Sequence, residues 1–496
     1  MRVRAFLLFV AASFVSSSAF AQLTAADVQT IINHAVTRAV HVSPRSVIAV
    51  TDREGYVLGV WVVRGGAATD AEIGSCVSKA GTAAFLSSNQ NAFSSRTAGF
   101  IIQQHFPPGV RNTANGPLVG VGFSSLQFSD VNRFKQFFGV PPPPIGGTSP
   151  GLMGFPIPNT SLDGNPGGVP LYKSGTLVGG VGVTGGNPTE NPLAFISGSA
   201  TDEDVALSGQ HGYEPSSSIT ADNVFIGGIS LTYTATPTNF STTVVLHGNA
   251  AAGYAIQKPP PPFSYPVTTF GGVTGQIRQP ITKDPRSGTI NGQPRLTAAE
   301  VASIINFAAD RVRMTRAAIR LPIGTQMEAF ISVVNFPNAP NMPPTVLGTF
   351  RTGEATIFSW DVAVQKARTA VGFSKNGNTT AVSSRTVGFL AERNYPPGID
   401  ANPPGPYNGL QEMLSMPPAN PNFPNGITIF PGGFPLYRNG QLIGAIGVSG
   451  DGVDQDDIVG ASGTHDFLAP DAIRADQFFF RGTRLPYAKF PRDPGL

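Results

Sequence analysis

Apolar residues near the start of the chain recur three and four positions apart. They are Val28, Ile31, Ile32, Ala35, Val36 and Ala39. This spacing places their side chains on one face of an amphipathic helix. Thr24 precedes the pattern and Asp27 stands three residues further on, which is the spacing of a capping box. The sequence therefore predicts a helix that begins directly after Thr24.

The next segments change from helical to strand patterns. Residues 46–63 read "SVIAVTDREGYVLGVWVV", two β-rich runs around Glu54 and Gly55, which predicts a hairpin. A helix rich in small residues follows at 76–86, and another begins at 94–95. A second hairpin, "PGGVPLYKSGTLVGGVGVTGG", covers residues 166–186. This order predicts the α+β class, with an antiparallel sheet flanked by helices.

All of these segments occur twice and in the same order. "LTAADVQTIINHA" from Leu23 returns as "LTAAEVASIINFA" from Leu296, and the second hairpin returns as "PGGFPLYRNGQLIGAIGVSGD" from Pro431. Internal repeats of this kind indicate duplicated units. We predict two homologous domains, residues 22–256 and 296–496, joined by a Pro- and Gly-rich linker over residues 257–295.

The first residues carry a targeting pattern. Two arginines, an apolar run and "SSSAFA" are typical of a secretory signal peptide over residues 1–21, cleaved before Gln22. We therefore expect a periplasmic or secreted protein. Gly and Pro interrupt every later apolar run, so we expect no membrane span. The formal net charge is only +3, and Arg2 and Arg4 belong to the leader, so we expect no nucleic-acid partner.

The motifs resemble the GlcG/HbpS-type haem-binding family, whose members are also called haem-degrading domains. The resemblance lies in "LTAADV", "AVTDREGYVLGVW", "SKAGTAA" with "QKARTAV", and the two glycine-rich hairpins. It implies two tandem profilin-like domains, each an antiparallel sheet flanked by helices. It also implies bacterial origin, oligomers, export in some members, and binding of haem or a related tetrapyrrole.

Haem binding requires an axial ligand for the iron and cations for the propionates. His34 and His41 are seven residues apart on one face of the first helix, and the second copy has Phe307 and Met314 in their places. His34 is the first candidate for the axial ligand and His41 the second. The alternative is an exposed or core-edge histidine that binds no metal. This asymmetry predicts one haem per chain, in the first domain.

Two other features are open to a binding or a structural interpretation. Gly180 and Gly182 leave one face of their strand nearly bare, so either a small-residue helix packs there or a flat tetrapyrrole lies on it. Arg96 and Arg385 stand in the first turn of matching helices, where a positive charge opposes the helix dipole. They bind propionates or an acidic partner, or they form salt bridges between helices or domains.

Other charged motifs favour a structural role. The acidic runs from Thr201 and from Asp451 lack the bidentate Glu of a calcium loop. We expect them to begin helices, with Thr201 or Asp454 as N-cap. Lys79 and Lys366 recur in the small-residue helix, and we expect them to pair with an acidic residue of the sheet.

The function that follows is an exported haem-binding protein that acts as a scavenger, a carrier or a redox-sensing accessory. The chain has no Gly-x-Ser-x-Gly, His-Glu-x-x-His or phosphate-loop motif, so we expect at most slow degradation of bound haem. The alternative is a protein-interaction scaffold that has lost the ligand and binds a partner through its Pro-rich insertions. We also expect a pseudo-dimer within one chain, with each hairpin edge covered by the other domain.

Overall fold

The computed structural model describes residues 21–120, 160–186, 198–241, 243–260, 264–376, 379–414 and 420–489. The predicted signal peptide, except for its last residue, lies outside these ranges. So do residues 121–159 and 415–419, which belong to the two Pro-rich insertions. Within the described ranges, none of the helices has the length and apolar character that crossing a bilayer requires.

The first unit is an antiparallel sheet with helices on both faces. Its elements, in chain order, are α1 (Ala25–Val42), β1 (Val47–Asp52), β2 (Val57–Val62), α2 (Asp70–Leu86), α3 (Ser95–Ile101), β3 (Gly168–Lys173), β4 (Thr176–Thr184), α4 (Thr201–Gln210), β5 (Phe225–Ile226), β6 (Ile229–Ser230) and β7 (Asn249–Ala250). The sheet order is β3-β4-β1-β2-β7. Successive residues of a strand face opposite sides of a sheet. Gly182 of β4 faces α2, and its neighbour Val181 faces α4, so the sheet lies between these helices.

The second unit repeats this architecture. Its elements are β8 (Val267–Phe270), β9 (Val273–Gln279), α5 (Ala298–Met314), β10 (Phe330–Asn335), β11 (Val346–Thr352), α6 (Phe358–Phe373), α7 (Ser384–Leu390), α8 (Leu410–Leu414), β12 (Gly433–Arg438), β13 (Gln441–Ser449), α9 (Val453–Ser462), β14 (Phe479–Phe480) and β15 (Thr483–Arg484). The sheet order is β12-β13-β10-β11-β9-β8. The structure thus contains the predicted α+β fold, two tandem profilin-like units.

The local signals in the sequence agree with the structure. The Thr24 hydroxyl accepts a hydrogen bond from the backbone N–H of Asp27 at 3.1 Å, and the Asp27 carboxylate accepts one from the N–H of Thr24 at 2.7 Å. This capping box begins α1 as predicted. Ser174 and Gly175, between β3 and β4, have φ values of 52° and 75°, the positive pair that a type I′ turn requires.

The segment predicted as a linker, residues 257–295, contains two strands of the second sheet. β9 pairs with β11, with Ile277 opposite Phe350, and β8 pairs with β9. Residues 257–295 are therefore not a linker throughout, because part of this segment belongs to the second sheet. The physical reason is that β11 would otherwise expose an edge of unpaired backbone groups. The "GG" dipeptide at 271–272, where both residues have positive φ, was the available hairpin signal.

At each hairpin edge, a described backbone hydrogen bond joins the outer strand to a segment of the same unit. The N–H of Tyr172 in β3 donates to the carbonyl of Tyr213 at 2.8 Å, and the N–H of Tyr437 in β12 donates to that of Phe467 at 2.9 Å. In each unit the chain that leaves the last helix is close enough to satisfy its own edge. The two units touch elsewhere, for example where the Asn91 side-chain amide donates to the Ile319 carbonyl at 3.0 Å.

Candidate functional site

Three rings form a cluster on the first unit, and we call His34, His211 and Phe240 the histidine cluster. The ring centroids of His34 and His211 are 5.8 Å apart. Phe240 stacks on His211 at 3.6 Å and meets His34 edge-on at 4.9 Å. His34 projects from the middle of α1, and His211 directly follows α4. The packing of α1 beside α4 therefore brings together two histidines that are far apart in sequence.

The environment of His34 favours its neutral imidazole. The side chain is half-buried, and its Nδ1 atom is buried without a hydrogen-bond partner. Burial, and after it the positive potential of His211, lower the pKa of His34 from its ordinary value. A neutral imidazole has one nitrogen with a free lone pair, which is the form that binds a metal. His34 is thus chemically suited to be an axial ligand.

The second unit has a pair of rings at the corresponding place, with one imidazole in the pair. His465 stacks on Phe307 with ring centroids 4.2 Å apart and planes 18° apart. Phe307 occupies the place of His34, as the repeat indicated, and His465 that of His211. His41, the second candidate ligand, is exposed in the last turn of α1 and is not part of the histidine cluster. The structure therefore pairs His34 with His211, a partner that spacing along α1 alone did not indicate.

The bare face of β4 is covered by α2. A Cβ atom on Gly180 would lie 2.2 Å from the carbonyl oxygen of Ala80, and one on Gly182 would lie 2.1 Å from that of Cys76. Of the two alternatives for this face, the structure contains the helix. Gly180 and Gly182 are needed for the close approach of α2 and offer no open surface to a tetrapyrrole.

Arg96 and Arg385 both lie in salt bridges between helices. Arg96 is fully buried and donates to the Glu203 carboxylate through Nε at 2.7 Å and Nη2 at 2.8 Å. Arg385 donates to Asp457 and to Asp454, each at 2.8 Å. Burial disfavours the charge of Arg385, but the two carboxylates outweigh it and raise the pKa of the guanidinium. Of the two interpretations of these arginines, the structure thus contains the salt bridges between helices.

The acidic runs supply the partners for these and other cations. α4 begins at Thr201 and α9 at Val453, so the N-cap residues are Ala200 and Gly452 and the expected caps were wrong. The acids that follow face basic side chains of the neighbouring helices. Lys79 binds Asp202 at 2.8 Å, and Lys366 binds Asp456 at 2.7 Å. The acid is thus on a helix and not on the sheet, although each lysine also donates to a carbonyl of the sheet.

Arg385 also borders an open groove of about 1080 Å³, which is lined by the second unit and by residues 114–119 of the first. Apolar side chains, among them Phe389, Ile429 and Tyr487, form part of its wall. The residues described around this groove include no histidine. Of the two places where the sequence-predicted residues could meet a tetrapyrrole, only the histidine cluster has imidazole ligands.

Comparison with known proteins places both units in one family. The family model described as "Haem degrading protein HbpS-like" matches residues 23–200 and 344–465, together more than half of the chain. Each matched region lies largely within one unit. A search of curated proteins finds no match.

Three solved structures are similar to about a third of the chain. A haem complex of PduOC is 23% identical, with 34% of this chain and 94% of that chain covered and a TM-score of 0.24. Protein ORFY of Klebsiella pneumoniae is 20% identical, with 37% and 95% covered and a TM-score of 0.24. A double mutant of Streptomyces reticuli HbpS is 20% identical, with 36% and 92% covered and a TM-score of 0.24.

Proposed function

Since the chain belongs to the HbpS-like family of haem-degrading proteins, we propose that it binds haem and that its binding site is the histidine cluster of the first unit. The observation that carries the proposal is the half-buried His34, whose lowered pKa keeps it neutral beside a second imidazole. Neutral imidazole is the commonest protein ligand of haem iron.

The chemistry of the cluster suits this group. His34 would bind the iron, and His211 is the nearest second donor. Phe240 adds an apolar ring of the kind that packs against a flat porphyrin. When bound, the haem would supply a redox-active iron. His41 remains the second candidate ligand, while Arg96 and Arg385 have no role in the proposal because carboxylates already neutralise them.

The predicted signal peptide and the duplication support a proposal about the physiological role. We propose an exported bacterial protein, periplasmic or secreted, that acts as a haem scavenger, carrier or redox-sensing accessory. The duplication would replace a homodimer, as a pseudo-dimer within one chain. Asn112 and Asp400, one in each Pro-rich insertion, exchange hydrogen bonds at 3.0 and 3.2 Å. This contact supports a role for those parts of the insertions in holding the units together.

A haemin titration of the chain from Gln22 tests the proposal. The variants are His34→Phe, which copies the ring at Phe307, and His41→Ala as the control on the same helix. We expect a saturable Soret band in the wild type and in His41→Ala, and its loss in His34→Phe. A band that persists in His34→Phe would refute this ligand, and a band lost only in His41→Ala would transfer the role to His41.

A further inference from the structure

A cavity of about 220 Å³ between the two units is lined by four arginines. They are Arg53, Arg278, Arg320 and Arg351. Arg53 comes from the turn between β1 and β2 of the first unit, Arg278 from β9, and Arg351 from β11. Both halves of the chain therefore contribute to the cavity, which contains no residue of the histidine cluster.

Only two of these cations have a carboxylate partner among the described residues. Arg53 pairs with Glu354, and Arg278 lies 3.6 Å from Glu54. Arg320 donates to the carbonyls of Glu354 and Ser87, which are neutral acceptors. The one hydrogen bond described for Arg351 runs from its Nε to the Ala355 carbonyl at 2.8 Å. Its two terminal amino groups are left for another acceptor.

Arg278 is held rigidly although it is not fully bonded. Its guanidinium lies 3.7 Å over the ring of Tyr265, and its Nε donates to the Gln276 side-chain oxygen at 2.9 Å. The side chain is 1% exposed, and its Nη1 is buried without a hydrogen-bond partner. A buried donor without an acceptor is destabilising, and an anionic ligand would supply the missing acceptor.

The electrostatics of Arg351 indicate the same deficit of negative charge. Burial, and after it the positive charge of Arg278, hold the pKa of Arg351 well below its ordinary value. Cations that lie close together in a confined space attract an anion, and the carboxylate of Glu54 offsets part of that attraction. The fork of a guanidinium matches the two oxygens of a carboxylate or a phosphate.

We propose that this cavity binds a small organic acid, with its carboxylate held by Arg351 and Arg278. Pockets for drug-sized ligands measure about 300–1,000 Å³. The cavity is smaller, so its ligand is a small mono- or dicarboxylate and not a tetrapyrrole. Inorganic phosphate has a similar arrangement of oxygens, and the test must distinguish the two. The proposal does not depend on haem binding.

Isothermal titration calorimetry of the full mature chain with succinate, benzoate and inorganic phosphate tests the proposal, with sodium chloride at matched ionic strength as the blank. We expect saturable binding of at least one carboxylate at one site per chain. Arg351→Gln should weaken it at least tenfold, and Arg351→Lys should restore part of the affinity. Arg481→Gln is the control, because that guanidinium donates to the Pro404 carbonyl away from the cavity.

A second variant keeps the test valid if Arg351→Gln does not fold. Glu54→Gln removes the carboxylate beside Arg278 on an accessible turn, so it should tighten carboxylate binding. No binding of either carboxylate, binding of phosphate alone, or equal affinities in Arg351→Gln and Arg481→Gln would overturn the proposal. Unchanged or weaker binding in Glu54→Gln would do the same.

Discussion

The imidazole rings of His34 and His211 lie 5.8 Å apart, where α1 packs beside α4. In the second unit, Phe307 and His465 occupy the same two places and stack at 4.2 Å. The two units thus share a framework, but the first has two imidazoles and the ring of Phe240 at this position, and the described rings of the second are one imidazole and Phe307. If His34 is the haem ligand, one substitution should remove the haem site of the first unit. Another should create a haem site in the second unit.

The first prediction is that Phe307→His adds a haem site to the second unit. The new imidazole would stand beside His465 as His34 stands beside His211. The ratio of haem to chain at saturation should rise from one towards two in a haemin titration. Phe307→Leu is the control, because it removes the ring and adds no ligand. A ratio that stays at one in Phe307→His would mean that the imidazole pair is not sufficient.

The second prediction concerns pH. Only the neutral imidazole binds iron, and the pKa of His34 lies below 6.5 because of burial and His211. Haem affinity should therefore be retained above pH 6.5 and fall at lower pH, as His34 takes up a proton. A haemin titration at each pH measures this. A loss of affinity with a midpoint above pH 6.5 would contradict it.

The same shift in pKa has a consequence for stability, which forms part of the second prediction. Between the lowered pKa and 6.5, the unfolded chain binds a proton at His34 and the folded chain does not. The unfolding free energy contributed by this residue is therefore fully present above pH 6.5 and is lost as the pH falls. Urea denaturation should show a smaller pH dependence for His34→Phe than for the wild type.

The third prediction is that Arg96 contributes to stability and not to haem binding. Arg96→Met leaves the buried Glu203 without its cation, which should lower the free energy of unfolding by about 3–5 kcal/mol in urea denaturation. Arg385→Met should cost less, because that side chain is 18% exposed. Removing both partners, in Arg96→Met with Glu203→Leu, should recover only part of the loss, because Glu203 also accepts hydrogen bonds from the N–H groups of Ala235 and Thr236.

Haemin titration of the folded Arg96→Met variant separates the two roles of this arginine. We expect an unchanged ratio of haem to chain and an unchanged affinity for haem. Loss of haem in a variant of normal stability would show instead that Arg96 holds a propionate.

The fourth prediction tests the contact between α2 and β4. Gly182→Ala would place a methyl group 2.1 Å from the Cys76 carbonyl oxygen, and both are held by backbone. Overpacking of this kind costs about 1–3 kcal/mol or more. Gly81→Ala is the control, since its nearest neighbour is the Phe85 ring at 3.6 Å and alanine favours a helix by up to about 1 kcal/mol. Equal unfolding free energies for the two variants would refute the close helix contact.

Local features of the fold could be predicted from the sequence because the interactions that cause them are local. The capping box at Thr24 and Asp27 and the turn at Ser174 and Gly175 each involve a few consecutive residues. The repeats then extended these assignments to the second unit. The strands of the predicted linker were missed because β9 is defined by its long-range pairing with β11.

The candidate site was harder to predict from the sequence than the local features of the fold. Periodicity along α1 identifies the face on which His34 lies, but not that α4 brings His211 beside it. A helix packed on β4 and a ligand bound there would both require the absence of a Cβ atom at Gly182. The glycine in the sequence therefore does not show which of the two covers the strand. The partner of Arg96 had one usable signal, since an arginine and an acidic run recur together in both copies.

The ratio of haem to chain at saturation, measured for the wild type and for His34→Phe, decides whether His34 is the ligand of a single site. We expect one haem in the wild type and none in His34→Phe. Two haems in the wild type, or one that persists in His34→Phe, would contradict a single site built on His34.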